Sequence, residues 1–247
     1  VNIVPIFPKT AVEKKAIAPH KFPTMTSSSP QLKPQSPPLQ QWHQATWDDY
    51  QALRDDPTLK QVKLSFHQGW LWVDMGGEGI NHASFSDLLT SLLFLWAIQH
   101  PEQSFNSLGR CLLEKPKSKA CAPDLVLYVG DDFPCWRDGD PRRIDLSAWR
   151  VPDLVGEISD TTIVSDLDEQ KHLYEALGIP EYWVIDVKGE RVFGFLLNEQ
   201  GQYKLCEQSR ALAGLPIALL TQTVQKLNEG TNTSAAAWFA QAIAKTE

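Results

Sequence analysis

The chain has 247 residues, enough to bury one substantial core or two small ones. Its composition, 43% hydrophobic and 21% charged, is that of an ordinary globular protein, and its formal net charge of −7 argues against indiscriminate, charge-driven binding of nucleic acid. A local basic groove stays open, because a few well-placed cations can dominate one face. The cysteines Cys111, Cys121, Cys135 and Cys206 form no CxxC pair, which disfavours a zinc site or a disulfide framework and suits free thiols in a reducing compartment. No window approaches the ~18 apolar residues of a spanning helix, and no apolar signal-peptide core is present. A cytoplasmic protein without membrane partners is expected.

Residues 1–41 are rich in Pro, Ser, Gln and Lys and cannot bury enough apolar surface to offset their ordering entropy, so a disordered tail is expected there and a folded domain over 42–247. Thr46-Trp47-Asp48-Asp49 reads as a helix start with an acidic first turn. Strand-like runs at 61–67 and 70–75, joined by Gln68-Gly69, predict a hairpin. After the turn Gly76-Gly77-Glu78-Gly79, the apolar residues Phe85, Leu88, Leu89, Leu92, Leu95 and Trp96 recur at three and four, the pattern of a core-facing helix. Strands are expected near 107–114 and at 124–129, then a loop over 130–150. Further strands at 191–197 and 203–206 and an Ala-rich helix over 234–244 complete the chain. This order predicts an α/β fold: one domain with a mixed β-sheet flanked by helices.

The stretch 151–187 organises the rest. It reads as a buried strand (152–159), an amphipathic helix (166–177), a Gly-Ile-Pro break and a second buried strand (181–187). Glu157 falls inside the first strand, on the face of Val155. Lys171 lies at helical spacing with Leu167 and Tyr174 and is expected to point inward. Asp124 opens the strand that follows Pro123. Two carboxylates from neighbouring strands would suit Mg²⁺, which takes one or two carboxylates with waters and substrate phosphate. A nearby lysine would steady the phosphoryl charge or the attacking water. Spacing alone weighs this evenly against a buried Glu157–Lys171 ion pair without metal.

The sequence Pro123-Asp124, then Pro152-Asp153-Leu154-Val155-Gly156-Glu157-Ile158-Ser159, then Asp166-Leu167, Lys171, Tyr174 and Gly178-Ile179-Pro180-Glu181-Tyr182-Trp183-Val184-Ile185-Asp186 resembles the Uma-type putative restriction endonucleases of the PD-(D/E)XK superfamily. The resemblance spans about residues 45–205 and implies a restriction-endonuclease-like domain. It further implies a metal-dependent endonuclease acting on DNA, with Mg²⁺ (or Mn²⁺) held by Asp124 and Glu157. The lysine usual two residues after the acidic position is absent, since Ser159 stands there. The resemblance implies its displacement onto the next helix as Lys171. His82 resembles a histidine bordering such sites, and Asp153 and Ser159 are further candidates for the border. Two departures stand out: the strand reads Gly-Glu-Ile-Ser-Asp, and the first hairpin carries Lys63 where an acidic residue is common. They motivate a rival reading, a nuclease-fold module that binds nucleic acid or a protein without cleaving. A homodimer would suit the cutting of both strands.

Tyr182 and Trp183 read as core rather than base-stacking platforms. The clusters Lys115, Lys117, Lys119 and Arg137, Arg142, Arg143, Arg150 would meet phosphates or simply stay solvated. The absence of HExxH and G-x-S-x-G disfavours a zinc or serine hydrolase.

Overall fold

The computed structural model describes residues 39–59, 62–75 and 79–245. Most of the expected tail lies outside them, but Gln40 is already tied to the domain, donating its N–H to the Val73 carbonyl at 2.8 Å. Strand β1 (His43–Gln44) leads into helix α1 (Trp47–Arg54). Thr46 caps α1 reciprocally: its hydroxyl accepts from Asp49 N, and the Asp49 carboxylate accepts from Thr46 N at 2.8 Å. Two donors that a helix start leaves open are thereby satisfied. Strands β2 (Val62–His67) and β3 (Trp70–Met75) pair antiparallel. Gln68 and Gly69 both have positive φ, 50° and 78°, as a two-residue hairpin turn matched to strand twist requires.

Helix α2 (Ile80–Gln99) is followed by β4 (Phe105–Ser107), β5 (Leu113–Lys115), β6 (Lys119–Cys121) and β7 (Leu125–Val129). The single strand expected near 107–114 is thus two, and they belong to different sheets. The expected loop over 130–150 contains β8 (Ile144–Asp145). Strand β9 (Leu154–Ser159) precedes two helices, α3 (Ile163–Leu167) and α4 (Glu169–Leu177), where one was expected. Strands β10 (Glu181–Asp186), β11 (Arg191–Leu197) and β12 (Tyr203–Cys206) follow, then α5 (Ile217–Asn228), which the sequence reading missed, and α6 (Asn232–Ile243).

The expected α/β architecture is present, with the strands divided between two six-stranded sheets. The first runs β1-β3-β2-β6-β5-β8 and the second β12-β11-β10-β9-β7-β4. The second is mixed: β9 and β10 are parallel, whereas β9 and β7 are antiparallel. The chain passes between sheets through Ala122-Pro123-Asp124, from β6 to β7. One face of the second sheet packs on α2, α5 and α6 through Leu88, Trp183, Leu220 and Phe239. The other face meets α4 and the inner side of the first sheet through Tyr174, Tyr182, Leu113 and Cys121. The hairpin and α1 share a third cluster around Tyr50 and Phe66. Among the described residues no helix is long and apolar enough to cross a membrane.

Gly178 ends α4 in the left-handed conformation (φ 76°), its N–H reaching the Glu175 and Tyr174 carbonyls, and Ile179 then turns into the core. In the first sheet, buried Glu114 gathers Tyr50 Oη at 2.8 Å, Arg54 at 2.7 Å and Arg143 at 3.3 Å. Replacing it with Leu leaves the Tyr50 phenol without its acceptor and takes one carboxylate from Arg54 and Arg143, although Arg54 keeps Asp55. Glu114→Leu is expected to cost about 1–3 kcal/mol in denaturant unfolding, the scale for leaving a buried donor unsatisfied.

Candidate active site

Asp124 and Glu157 are brought together by sheet register. Leu125 pairs with Gly156 across β7 and β9, so one step outward sets Asp124 beside Glu157. Gly156 makes room for this pairing, since a Cβ there would lie 3.0 Å from Leu125 Cδ1. At Gly109 a Cβ would lie 2.6 Å from the Asp124 carbonyl oxygen, and Arg110 N donates to Pro123 O at 2.9 Å. The Gly109-Arg110 strap therefore lies directly against the backbone that presents Asp124.

The cation between the two carboxylates comes from the other sheet. Lys63 Nζ, on β2, lies 3.0 Å from Asp124 Oδ1 and 2.8 Å from Glu157 Oε2. Both acids are almost sealed from solvent, at 6% and 2% exposure. Asp124 Oδ2 meets His82 Nε2 at 3.0 Å and accepts Ile158 N–H at 2.9 Å, while Tyr174 Oη donates to Glu157 Oε1. Nearby, Asp166 Oδ2 accepts from Ser159 Oγ and, at 2.6 Å, from Thr162 Oγ1. Gln170 Nε2 meets Ser65 Oγ at 2.9 Å, and its buried Oε1 has no hydrogen-bond partner among the described residues. Of these, Lys63, His82, Asp124, Glu157, Ile158, Thr162, Asp166 and Gln170 line a pocket of about 800 Å³.

The charges are unequal in their footing. Burial alone would lower the Lys63 pKa, but Glu157 and Asp124 outweigh it and hold the ammonium above its ordinary range. Burial pushes Asp124 upward too, yet Lys63, His82 and the Ile158 N–H together hold it below the usual carboxylate range. Glu157 is pushed up to about 8, chiefly by burial; Lys63 opposes this, and the charges of Asp124 and Asp166 add to it. Burial also raises Asp166. Asp124 is thus the secure anion and Glu157 the one whose charge depends on a cation.

The lining carries Asp74, Asp124, Glu157, Asp160 and Asp166 against Lys63 and Arg110, so the pocket draws cations. No group of three His, Cys, Asp or Glu side chains arranged for a metal exists among the described residues. Two carboxylates suffice for Mg²⁺, whose remaining ligands are commonly water and phosphate. Here two such hard oxygen donors already close on one cation, with the ammonium as stand-in, so the donor set fits a divalent ion.

Asp124, Glu157 and His82 lie together, and Ser159 is joined to this group only through Asp166. Lys171 does not join them: its Nζ lies 5.3 Å from the Phe195 ring centroid, over β11, two strands away from β9. The expected phase assumed one helix through Leu167. The chain instead breaks at Asp168 (φ −122°, ψ −87°), and α4 restarts with Gln170, Leu173, Tyr174 and Leu177 on its buried face. One residue is about 100° of helix rotation, so Gln170 takes the inward place and Lys171 turns aside. Asp153 also stands apart, at the far end of β9, accepting from Val129 N at 2.7 Å and Arg150 at 2.8 Å. Lys63, Asp166 and Gln170 were missed as site residues. The one signal was Lys63 itself, the hairpin charge that the resemblance marks as a departure.

A family model described as Uma2, putative restriction endonuclease, matches residues 47–228. No curated protein matches the chain. Among solved structures, the chain is similar to a putative nuclease belonging to DUF820 from Anabaena variabilis, at 16% identity and a TM-score of 0.49, over 72% of this chain and 98% of that one.

Two outcomes test the geometry. Gly109→Ala should push on the Asp124 backbone and cost about 1–3 kcal/mol of stability, the usual scale of overpacking, read by denaturant unfolding. The raised Glu157 pKa binds a proton in the folded state that the unfolded chain has lost, so stability falls as pH climbs from 4.5 to about 8. Glu157→Gln should remove that part of the decline when melting temperatures are compared across the same range in chelator.

Proposed function

The chain belongs to the Uma2 family, and from that premise we propose that it is an endonuclease that hydrolyses DNA phosphodiester bonds with a divalent cation, Mg²⁺ or Mn²⁺. Asp124 and Glu157 would hold the ion. The observation that carries this reading is the convergence of those two carboxylates on a single positive charge in a cation-drawing pocket. Once bound, such an ion supplies Lewis-acid stabilisation of the phosphoryl charge and an acidified water.

The chain's own residues do the rest. The Ile158 N–H and His82 fix the Asp124 carboxylate from behind, which keeps its other oxygen aimed at the cation. Tyr174 does the same for Glu157. Lys63 takes the role assigned to Lys171 from the sequence, placing a permanent positive charge where a phosphodiester gains negative charge during cleavage. The acidic side chains of the lining, Asp74, Asp124 and Asp160 among them, disfavour a bare phosphate, so a divalent ion would have to offset their charge before a phosphodiester settles there.

One observation favours a second reading. The Lys63 ammonium occupies the shared place between the carboxylates, as a fixed counter-ion would in a nuclease-fold module that binds without cutting. Supercoiled plasmid with Mg²⁺ or Mn²⁺ separates the two. Cleavage is expected, falling at least about 100-fold in Asp124→Asn, Glu157→Gln and Lys63→Met, the scale for losing one transition-state contact. Lys171→Met should cut at the wild-type rate. Binding without nicking by the wild-type chain would establish the module instead.

A further inference from the structure

We infer that Gln170 is a positioning residue for Lys63: its Oε1 is the seat to which the ammonium moves when a divalent cation takes its place between Asp124 and Glu157. This rests on the reading above that those carboxylates hold such an ion. Both carboxylates now hold one nitrogen at 2.8–3.0 Å. An ion bound at the ~2.0–2.1 Å typical of Mg²⁺ leaves no room there for an ammonium. The lysine must then find another acceptor within reach of a stem rooted on β2.

Several of the oxygens around it are engaged, and the Asp74 carboxylate, opposite Lys63 across the hairpin, already accepts from Gln40 Nε2 at 3.2 Å. Asp124 Oδ2 has His82 and Ile158, Glu157 Oε1 has Tyr174, and Asp166 Oδ2 has Ser159 and Thr162. Gln170 Oε1 is different: it is buried, borders the same pocket and has no hydrogen-bond partner among the described residues. A buried acceptor without a donor is rare enough in native structures to call for a reason. Its place gives one. The Gln170 amide is pinned by Nε2 to Ser65 Oγ at 2.9 Å, and Ser65 is two residues from Lys63 on β2, on the same face of the strand. The vacant acceptor is therefore anchored to the lysine's own strand. Turning the amide end for end would set a buried N–H₂ in a pocket that already carries an ammonium. A carbonyl oxygen also receives the lysine without adding a further negative charge to compete for the incoming ion.

The test measures Mn²⁺ binding by titration calorimetry on the full chain without nucleic acid, in wild type, Gln170→Met, Lys63→Met and the double variant. Gln170→Met keeps the shape and removes the acceptor. It is expected to weaken Mn²⁺ binding about tenfold in the wild-type background, the scale of a hydrogen bond to a charged group, and to change nothing once Lys63 is Met. Lys63→Met alone should bind Mn²⁺ more tightly, because the competing cation is gone. Equal weakening in both backgrounds, or none in the wild-type background, overturns the inference while leaving the metal reading intact. Absence of Mn²⁺ binding in all four proteins overturns the metal reading and the inference with it. Should Lys63→Met fail to fold, the NMR resonance of the Lys63 Cε–Nζ group decides. A Mg²⁺-induced shift in wild type that is lost in Gln170→Met supports the seat; an unaltered shift overturns it.

Discussion

One ammonium held between two buried carboxylates is the contact on which the architecture turns. Asp124 and Glu157 are adjacent by sheet register and almost out of reach of water, so each raises the cost of ionising the other. Lys63 makes the pair tolerable, and it reaches them from a different sheet. Removing any one member leaves an uncompensated charge or a doubled one at a nearly buried place. The same arrangement gives the pocket its preference for cations.

The supports behind the two acids are not symmetric. Asp124 leans on a backbone N–H and an imidazole, while Glu157 has a phenol and the crowding of Asp124 and Asp166. The strand after Glu157 then carries Ser159 to Asp166, so α3 is fastened to the site by a side-chain hydrogen bond. A third anion is thereby kept close and engaged without contacting Lys63 directly. Structure and electrostatics are built from the same few side chains.

How much of this could be read beforehand follows from distance along the chain. The run Gly178 to Asp186 was legible because its logic is local: a left-handed cap, a turn inward and a strand buried on both faces, with Tyr182 and Trp183 fully enclosed. The meeting of Asp124 and Glu157 was legible because Glu157 interrupts an apolar strand at a cost a partner explains, and Asp124 opens a second strand close enough in sequence to lie beside it. Lys63 as the partner was not, since its contacts lie 61 and 94 residues away and depend on how two sheets face each other. Lys171 was misplaced because the break at Asp168 carries no Gly or Pro to announce it, and helical phase is lost across any break. The split of 107–114 into two strands escaped for a related reason: Arg110 turns the chain with φ 67° at a residue type that rarely does so.

The passage of the chain from one sheet to the other at Pro123 has a mechanical corollary. Only one short link separates the cation-bearing sheet from the acid-bearing one at this point, and the charges riveted across that seam help to clamp it. A change of charge at Lys63, Asp124 or Glu157 is therefore felt by both sheets at once, beside the apolar packing that joins them.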